Sequence, residues 1–313
     1  MQGPDPIDRR LKLRQLEILL AVIECGTMGK AAERLAISQP VVSKAIADLE
    51  HTLGVRLLDR GLQGVEPTLY GRALMKRGVA IFDEVRQSLR EIKFLTDPNG
   101  AELHVGCTST VTGGLVSAVI SQLSERFPRL AIHVLSADMV TLLSYYLRER
   151  RCEFVIGRMP SSVPEPDMDA EPLFHEQYQI VAKPPNKWLL KRRKIALAEL
   201  IDEPWILGPI ETRAGSPVVE AFNSIGLQLP QALIVSTSLH LRNSLLATGR
   251  FLTVLPGSVL RFAPKESGLK VLSVRLPRST LPISIVTLKN RTLSPIGQLF
   301  IDCARDLAKP LAR

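Results

Sequence analysis

The sequence predicts an α/β chain in two parts: a helical N-terminal part built round a helix-turn-helix, then a larger part alternating strands with helices. Three observations predict it. Met28–Leu35 and Gln39–Leu49 are short amphipathic stretches separated only by Ala36-Ile37-Ser38. An apolar seam at spacings of three and four runs from Leu74 through Gly78, Ile81, Val85, Leu89 and Ile92 to Leu95. Past the breaker cluster Thr96-Asp97-Pro98-Asn99-Gly100, strand-length apolar runs and helical stripes follow in β-α-β-α-β order, which predicts a parallel, doubly wound sheet.

Taken in order, Leu13–Glu24 is a first helix with Leu13, Leu16, Leu20 and Ile23 on its stripe, stopped at Cys25-Gly26. Thr27 is placed to cap the helix that follows, and Ser38 to cap the next, with Pro40 tolerated in its first turn. At about 100° per residue, Val42, Ala45, Ile46 and Leu49 fall on one face of that helix. Gln39, Pro40, Ser43, Lys44 and Ala47 fall on the other. Short side chains with a few donors suit a helix lying in the major groove, although an ordinary amphipathic helix with a solvated face reads the same way. The flanks tip the balance. Gly61 to Pro67 is a glycine-bearing turn of hairpin type, and a hairpin after a recognition helix makes a winged helix. Thr68 then caps a helix about 40 Å long. A seam of that length outruns what a small domain can cover, so it is expected to pair with its twin in a dimer, with Gly78 allowing close approach.

Beyond the breaker, Leu103 and Val105 mark a strand, Val116–Phe127 a helix, Ala131–Leu135 a strand, Val140–Leu147 a helix and Phe154–Gly157 a buried strand. Pro160, Pro164, Pro166 and Pro172 read as a loop into a second subdomain. There Gln177–Lys183, Trp205–Leu207, Ala232–Ser236 and Phe251–Leu255 read as strands, with helices at Val218–Ser224 and Leu239–Thr248. Ile283–Leu288 is a further strand and Pro295–Lys309 a last helix. Small molecules bind open α/β sheets beyond strand carboxyl ends, often at helix N-termini. Thr108, Ser109 and Thr110, after the first strand, are ligand candidates on that ground, though a plain helix cap has the same composition. Arg158, Thr212 with Arg213, and Thr237 with Ser238 are weaker candidates.

The 313 residues carry a formal net charge of +9, but the excess is spread evenly. Residues 1–95 hold 15 Lys/Arg against 12 Asp/Glu, and the remainder 25 against 19, so charge does not single out a DNA-binding part. Cys25, Cys107, Cys152 and Cys303 show no CxxC pair, which speaks against a zinc finger or a disulfide framework and suits a reducing cytoplasm. The five histidines (His51, His104, His133, His175 and His240) are scattered singly, with no ligand-like spacing, so no metal and no cofactor is expected. There is no GxSxG, P-loop, HExxH or GxGxxG after a strand, which argues against an enzyme. No apolar run reaches the roughly 18 residues of a membrane span. The polar N-terminus does not look like a secretory signal, so a cytoplasmic protein is expected, not an exported solute-binding protein.

Ala31-Ala32, Leu35, Ser38-Gln39-Pro40, Ser43, Ile46, Leu49-Glu50, Leu53-Gly54, Leu57, Arg60, Thr68 and Gly71 together resemble the signature of LysR-type transcriptional regulators. Glu203-Pro204-Trp205 and Leu255-Pro256 extend the resemblance toward the C-terminus. It implies a winged helix-turn-helix over residues 1–66 and a dimerising linker helix over 67–96. It also implies a two-lobed effector domain resembling a type 2 periplasmic binding protein, with lobe I at 101–172 and 273–313 and lobe II at 173–272. A homotetramer on promoter DNA, with RNA polymerase as a partner, is implied too, as an activator or through relief of repression. On this resemblance Gln39, Pro40, Ser43 and Lys44 map to the major-groove face, with Thr27 and Thr68 near phosphates, and Arg34, Ser38, Arg60 and Gln63 as further DNA contacts. Ser109, Thr110, Arg158 and Thr237 map around the cleft between lobes, with Thr108, Thr212 and Ser238 beside them. Lys44 stands where Arg is commoner, and Gln63 where the wing often carries Arg. Val155-Ile156-Gly157-Arg158 resembles the branch answering sugars or aromatic-catabolism acids.

Overall fold

The computed structural model describes residues 11–61, 64–159, 166–191, 193–209, 216–231, 233–236, 238–262, 267–274, 276 and 278–312. The chain divides into two compact units, Met1–Leu89 and Arg90–Arg313.

The first unit holds α1 (Leu13–Cys25), α2 (Met28–Arg34), α3 (Gln39–Leu53), β1 (Leu58–Gly61), β2 (Gly64–Pro67) and the greater part of α4 (Leu69–Thr96). Its core joins Leu16, Leu19 and Val22 of α1, Ala31 of α2, Val42, Ile46 and Leu49 of α3, and Leu57 and Leu58. The inward face expected of α3 is the buried one, Ala45 being only half-buried. The stripe expected of α1 is corrected: Leu13 is 49 % exposed, and the buried residues are Leu16, Ile18, Leu19, Ala21 and Val22. The cause is packing on two sides, with α2 and α3 on one and α4 on the other, which buries a broader arc than a single stripe. Gly78 of α4 is the contact point. A Cβ there would stand 3.0 Å from Leu16 Cδ1, so the close approach made by this glycine is within the domain.

Ser38 occupies the N-cap of α3, yet its side chain makes no cap bond; its carbonyl instead accepts from Val41 N at 3.1 Å and Val42 N at 3.2 Å. Thr27 does cap α2, its Oγ1 accepting from Lys30 N at 3.2 Å. Thr68 Oγ1 accepts from Gly71 N at 3.1 Å and donates to Arg56 O at 2.8 Å, fastening α4 to the segment between α3 and β1. The antiparallel hairpin β1–β2 is the expected wing, with Arg60 opposite Val65. Gly64, at φ +126°, lies so close under the turn after α1 that a Cβ would meet Gly26 O at 2.6 Å. Val65 N donates to that same oxygen at 2.8 Å.

In the second unit β3 (Glu102–Cys107) leads through α5 (Ser109–Val111), a π-helical segment (Thr112–Val116) and α6 (Ser117–Arg126) to β4 (Ala131–Ser136). Then come α7 (Met139–Thr141), a second π segment (Leu142–Leu147), β5 (Phe154–Arg158) and the long β6 (Met168–Ala182). β7 (Trp205–Leu207), α8 (Pro217–Asn223), β8 (Leu233–Val235), α9 (Leu239–Ala247), β9 (Thr253–Pro256) and α10 (Gly257–Phe262) follow. The chain closes with β10 (Lys270–Val271), β11 (Arg278–Leu288) and α11 (Pro295–Ala308).

Among the described residues the main sheet runs β10-β6-β11-β5-β3-β4, with β9 also paired to β6. The parallel pairing expected of the β-α-β-α-β run holds for its three strands, while the sheet as a whole is mixed. β3 pairs in parallel with β4 and β5, but β11 pairs antiparallel with β5 and β6, and β6 antiparallel with β9 and β10. Hydrophobic patterning shows where strands lie and not which way their neighbours run. The prolines expected to form a loop include Pro172, which stands inside β6 opposite Ser284, where the register shifts; Pro160 and Pro164 lie outside the described residues.

β6 passes through both lobes. Its first half pairs with β11, and Tyr178 to Val181 pair with β9. Phe174 is buried in the lobe I core with Leu103, Val105, Ile156 and Phe300. Tyr178 is buried in the lobe II core with Trp205, Phe222 and Val254, and so is Leu276. Along β6 the change from one core to the other thus falls between Phe174 and Tyr178.

Candidate functional site

The outer face of α3 is built by burying the inner one. Val42, Ile46 and Leu49 are fully buried, which turns Gln39, Pro40 and Lys44 to solvent and leaves Ser43 half-buried. Behind this face, Glu50 Oε1 accepts from Leu57 N at 2.7 Å and Leu58 N at 3.2 Å, holding the first wing strand against α3. The turn from α2 places Ala36 at φ +53°, a left-handed conformation, with Ile37 N donating to Ala32 O at 3.0 Å. Arg34 is tied to Glu24 of α1 at 2.5 Å, so its guanidinium is engaged within the domain; that bond raises its pKa. Thr27 and Thr68 spend their hydroxyls on caps. Arg60 is exposed on the wing, and Gln63 lies outside the described residues.

In the second unit, Thr108, Ser109, Thr110 and Arg158 are brought together at strand ends. Thr108 N donates to Ile156 O at 3.2 Å, and its Oγ1 lies 3.3 Å from Thr110 Oγ1. A Cβ on Gly157 would stand 2.8 Å from Thr108 Cγ2, so only glycine lets the end of β5 close on α5 here. Ser109 is exposed at the start of α5. The guanidinium of Arg158 lies 5.0 Å over the ring of Tyr178, whose hydroxyl is buried with no hydrogen-bond partner among the described residues. A buried hydroxyl left in this state costs about 1–3 kcal/mol unless something pairs with it. Beside it, buried Glu176 accepts from Ser258 N and Oγ at 3.1 and 2.5 Å. Burial pushes the Glu176 carboxyl above its usual range, partly offset by Ser258 and by the charge of Arg158. Ser238 caps α9 in lobe II, where its hydroxyl accepts from Leu241 N at 3.1 Å and so is engaged within its own helix. Thr212 and Thr237 lie outside the described residues.

Tyr178 and Glu176 escaped sequence reading because they look like ordinary strand residues. So did a third group. His104 and His133, expected to stand alone, are direct partners across β3 and β4, and both reach Glu102. All four cysteines are free. Burial raises the Cys107 thiol and pushes Cys152 up to about 12, so neither serves as a nucleophile near neutral pH. Among the described residues no helix is long and apolar enough to cross a membrane.

Residues 13–72 match the family of bacterial regulatory helix-turn-helix proteins of the lysR type, and residues 96–309 match the LysR substrate binding domain. The chain belongs to the LysR family. The HTH-type transcriptional regulator GbpR of Azospirillum brasilense is 29 % identical over 286 residues, covering 91 % of this chain and 83 % of its own. The Hca operon transcriptional activator HcaR of Escherichia coli is 27 % identical over 256 residues, covering 80 % of this chain and 84 % of its own. Full-length OxyR from Pseudomonas aeruginosa, solved as a single-substitution variant, shares the fold at a TM-score of 0.61 and 22 % identity, covering 96 % of both chains. Full-length CbnR, solved in complex with its target DNA, shares it at 0.53 and 21 %, covering 95 % of this chain and 100 % of that one. This LysR-type chain is thus a DNA-binding transcriptional regulator whose C-terminal part is an effector-binding domain, and it is not an enzyme.

Proposed function

We propose that this LysR-type regulator reads a promoter site with the outward face of α3, as a cytoplasmic homotetramer built from dimers. The observation that carries the reading is that face itself. Gln39 is a long donor and acceptor at the exposed first turn, while Pro40, Ser43 and Ala47 are short enough to let α3 approach base edges. Lys44 lacks the fork that reads guanine bidentately, so it serves as a phosphate contact. Thr27, Ser38 and Thr68 sit at helix starts and offer backbone N–H groups to phosphates, with Arg60 on the wing. Arg34 is the weakest of the assigned contacts, because Glu24 already holds it.

A shift assay on the regulator's own upstream fragment tests this. Gln39→Ala and Ser43→Ala should relax sequence preference, at about 1–3 kcal/mol of discrimination per lost base contact. Lys44→Ala should weaken binding uniformly and flatten its salt dependence by about one unit of slope. Unchanged sequence preference in both of the first two variants sinks the assigned reading face.

The effector site in this reading lies between the lobes at Thr108, Ser109, Thr110 and Arg158, with Ser238 on lobe II. The Arg158 cation and the Tyr178 hydroxyl suit a carboxylate or a hydroxylated ligand, which supports an aromatic or other carboxylic acid, or a sugar. Occupancy of the crossing region would shift the lobes, and with them tetramer geometry, DNA bending and contact with RNA polymerase. HcaR is named an activator, which supports the same sense of control here. The division of labour at 1–66, 67–96 and the two lobes belongs to this proposal.

A further inference from the structure

The parallel register of β3 and β4 sets His104 beside His133. Residues two apart on a strand point to the same face, so Glu102 joins them. The two imidazoles are stacked, with centroids 4.3 Å apart and planes 10° from parallel. His104 Nε2 lies 2.9 Å from Glu102 Oε1, and His133 Nε2 lies 3.1 Å from the same oxygen. One donor atom from each of the three residues falls within 4.8 Å of the others. The side chains are 28, 51 and 47 % exposed for His104, His133 and Glu102, so an ion can reach them from solvent.

We propose that Glu102, His104 and His133 form a three-ligand site for a divalent transition-metal ion, with solvent filling its open positions. Two imidazoles and one carboxylate favour Zn²⁺, Ni²⁺ or Cu²⁺ over Mg²⁺ and Ca²⁺, which prefer all-oxygen shells. Donors about 2.1 Å from a tetrahedral ion stand about 3.4 Å apart, so the stacked imidazoles must turn for both Nε2 atoms to face one ion, and the carboxylate must retreat by a few tenths of an ångström. Glu102 can do so, because it is the exposed first residue of β3. Arg90 is the nearby cation that would oppose the ion, and Glu153 Oε1 engages its guanidinium at 3.5 Å. A bound ion would staple β4, which lies at one end of the sheet order, to its neighbour, stabilising lobe I in proportion to occupancy.

Zn²⁺ and Ni²⁺ titrated calorimetrically into the full-length chain, with thermal unfolding in parallel, test the site. The expected result is one ion per chain and a raised unfolding temperature, with no response to Mg²⁺. Glu102→Gln and His133→Gln should each weaken binding by more than about tenfold and abolish the thermal shift. His175→Gln and His240→Gln should leave both unchanged. Full affinity in the first two variants, binding lost only on replacing Cys25 or Cys303, or no binding at all overturns the site and leaves a carboxylate hydrogen-bonded by two imidazoles.

Discussion

Glu176 and Ser258 are bonded where β6 passes from one lobe to the other. The buried carboxylate accepts from both the backbone N–H and the hydroxyl of Ser258 near the start of α10, and Ser258 in turn packs against Gly114 of lobe I. A Cβ on Gly114 would stand 3.0 Å from the Ser258 backbone. The contact gives the two lobes a common point of attachment close to the Arg158–Tyr178 pair.

Its pH dependence has a definite sign. Burial raises the folded-state pKa of Glu176 above that of the unfolded chain. Its favourable contribution is therefore complete below the unfolded carboxyl pKa and is lost as pH rises through the folded value. Glu176→Gln, which cannot ionise, should gain in unfolding temperature relative to the parent as pH is raised from about 4 to 7. Glu176→Ala should lose about 1–3 kcal/mol at acidic pH, because it leaves two buried donors unpaired. A Gln-minus-parent difference that stays flat across that range would refute the assignment.

Gly71 should tolerate no side chain. A Cβ there would fall 2.0 Å from Leu57 O, the acceptor of the Thr68 N–H bond at the base of the wing. Gly71→Ala is expected to cost the first unit about 1–3 kcal/mol despite alanine's better helix propensity, through backbone displacement. Chemical denaturation reads the loss, and a stabilised variant would contradict the contact.

The effector assignment can be tested without foreknowledge of the ligand. A thermal-shift panel that includes benzoate and glucose should yield a stabilising compound. For a carboxylate hit, Arg158→Gln should reduce affinity by about tenfold or more, the worth of a charged hydrogen bond. Thr110→Val should weaken the same compound by a smaller factor. Equal affinity in both variants would move the site elsewhere.

The seam of α4 predicts an assembly defect. Val85 is 40 % exposed, Leu89 and Ile92 are each 61 % exposed, and the seam is apolar over several turns. Val85→Glu with Ile92→Glu should shift the sedimenting species toward the monomer, because paired helices cannot bury facing carboxylates without partners. An unchanged mass would remove this seam from the proposed dimer.

By itself the sequence determined the local elements: the inward face of α3, the wing, the caps at Thr27 and Thr68, and the length of α4. These follow from periodicity and cap chemistry within a few residues, which a linear reading can see. It also placed Thr108–Thr110 and Arg158 at strand ends, which the fold then gathered. Tertiary structure alone decided the rest. The broader buried face of α1 needed α4 on its second side, and the mixed sheet needed β6 and β11 to cross between lobes. Glu176 met Ser258, Arg158 met Tyr178, and His104 met His133 only once strand partners and register were set. Such pairs are far apart in the chain, and pairing depends on which surfaces pack together, a quantity that no short window of residues contains.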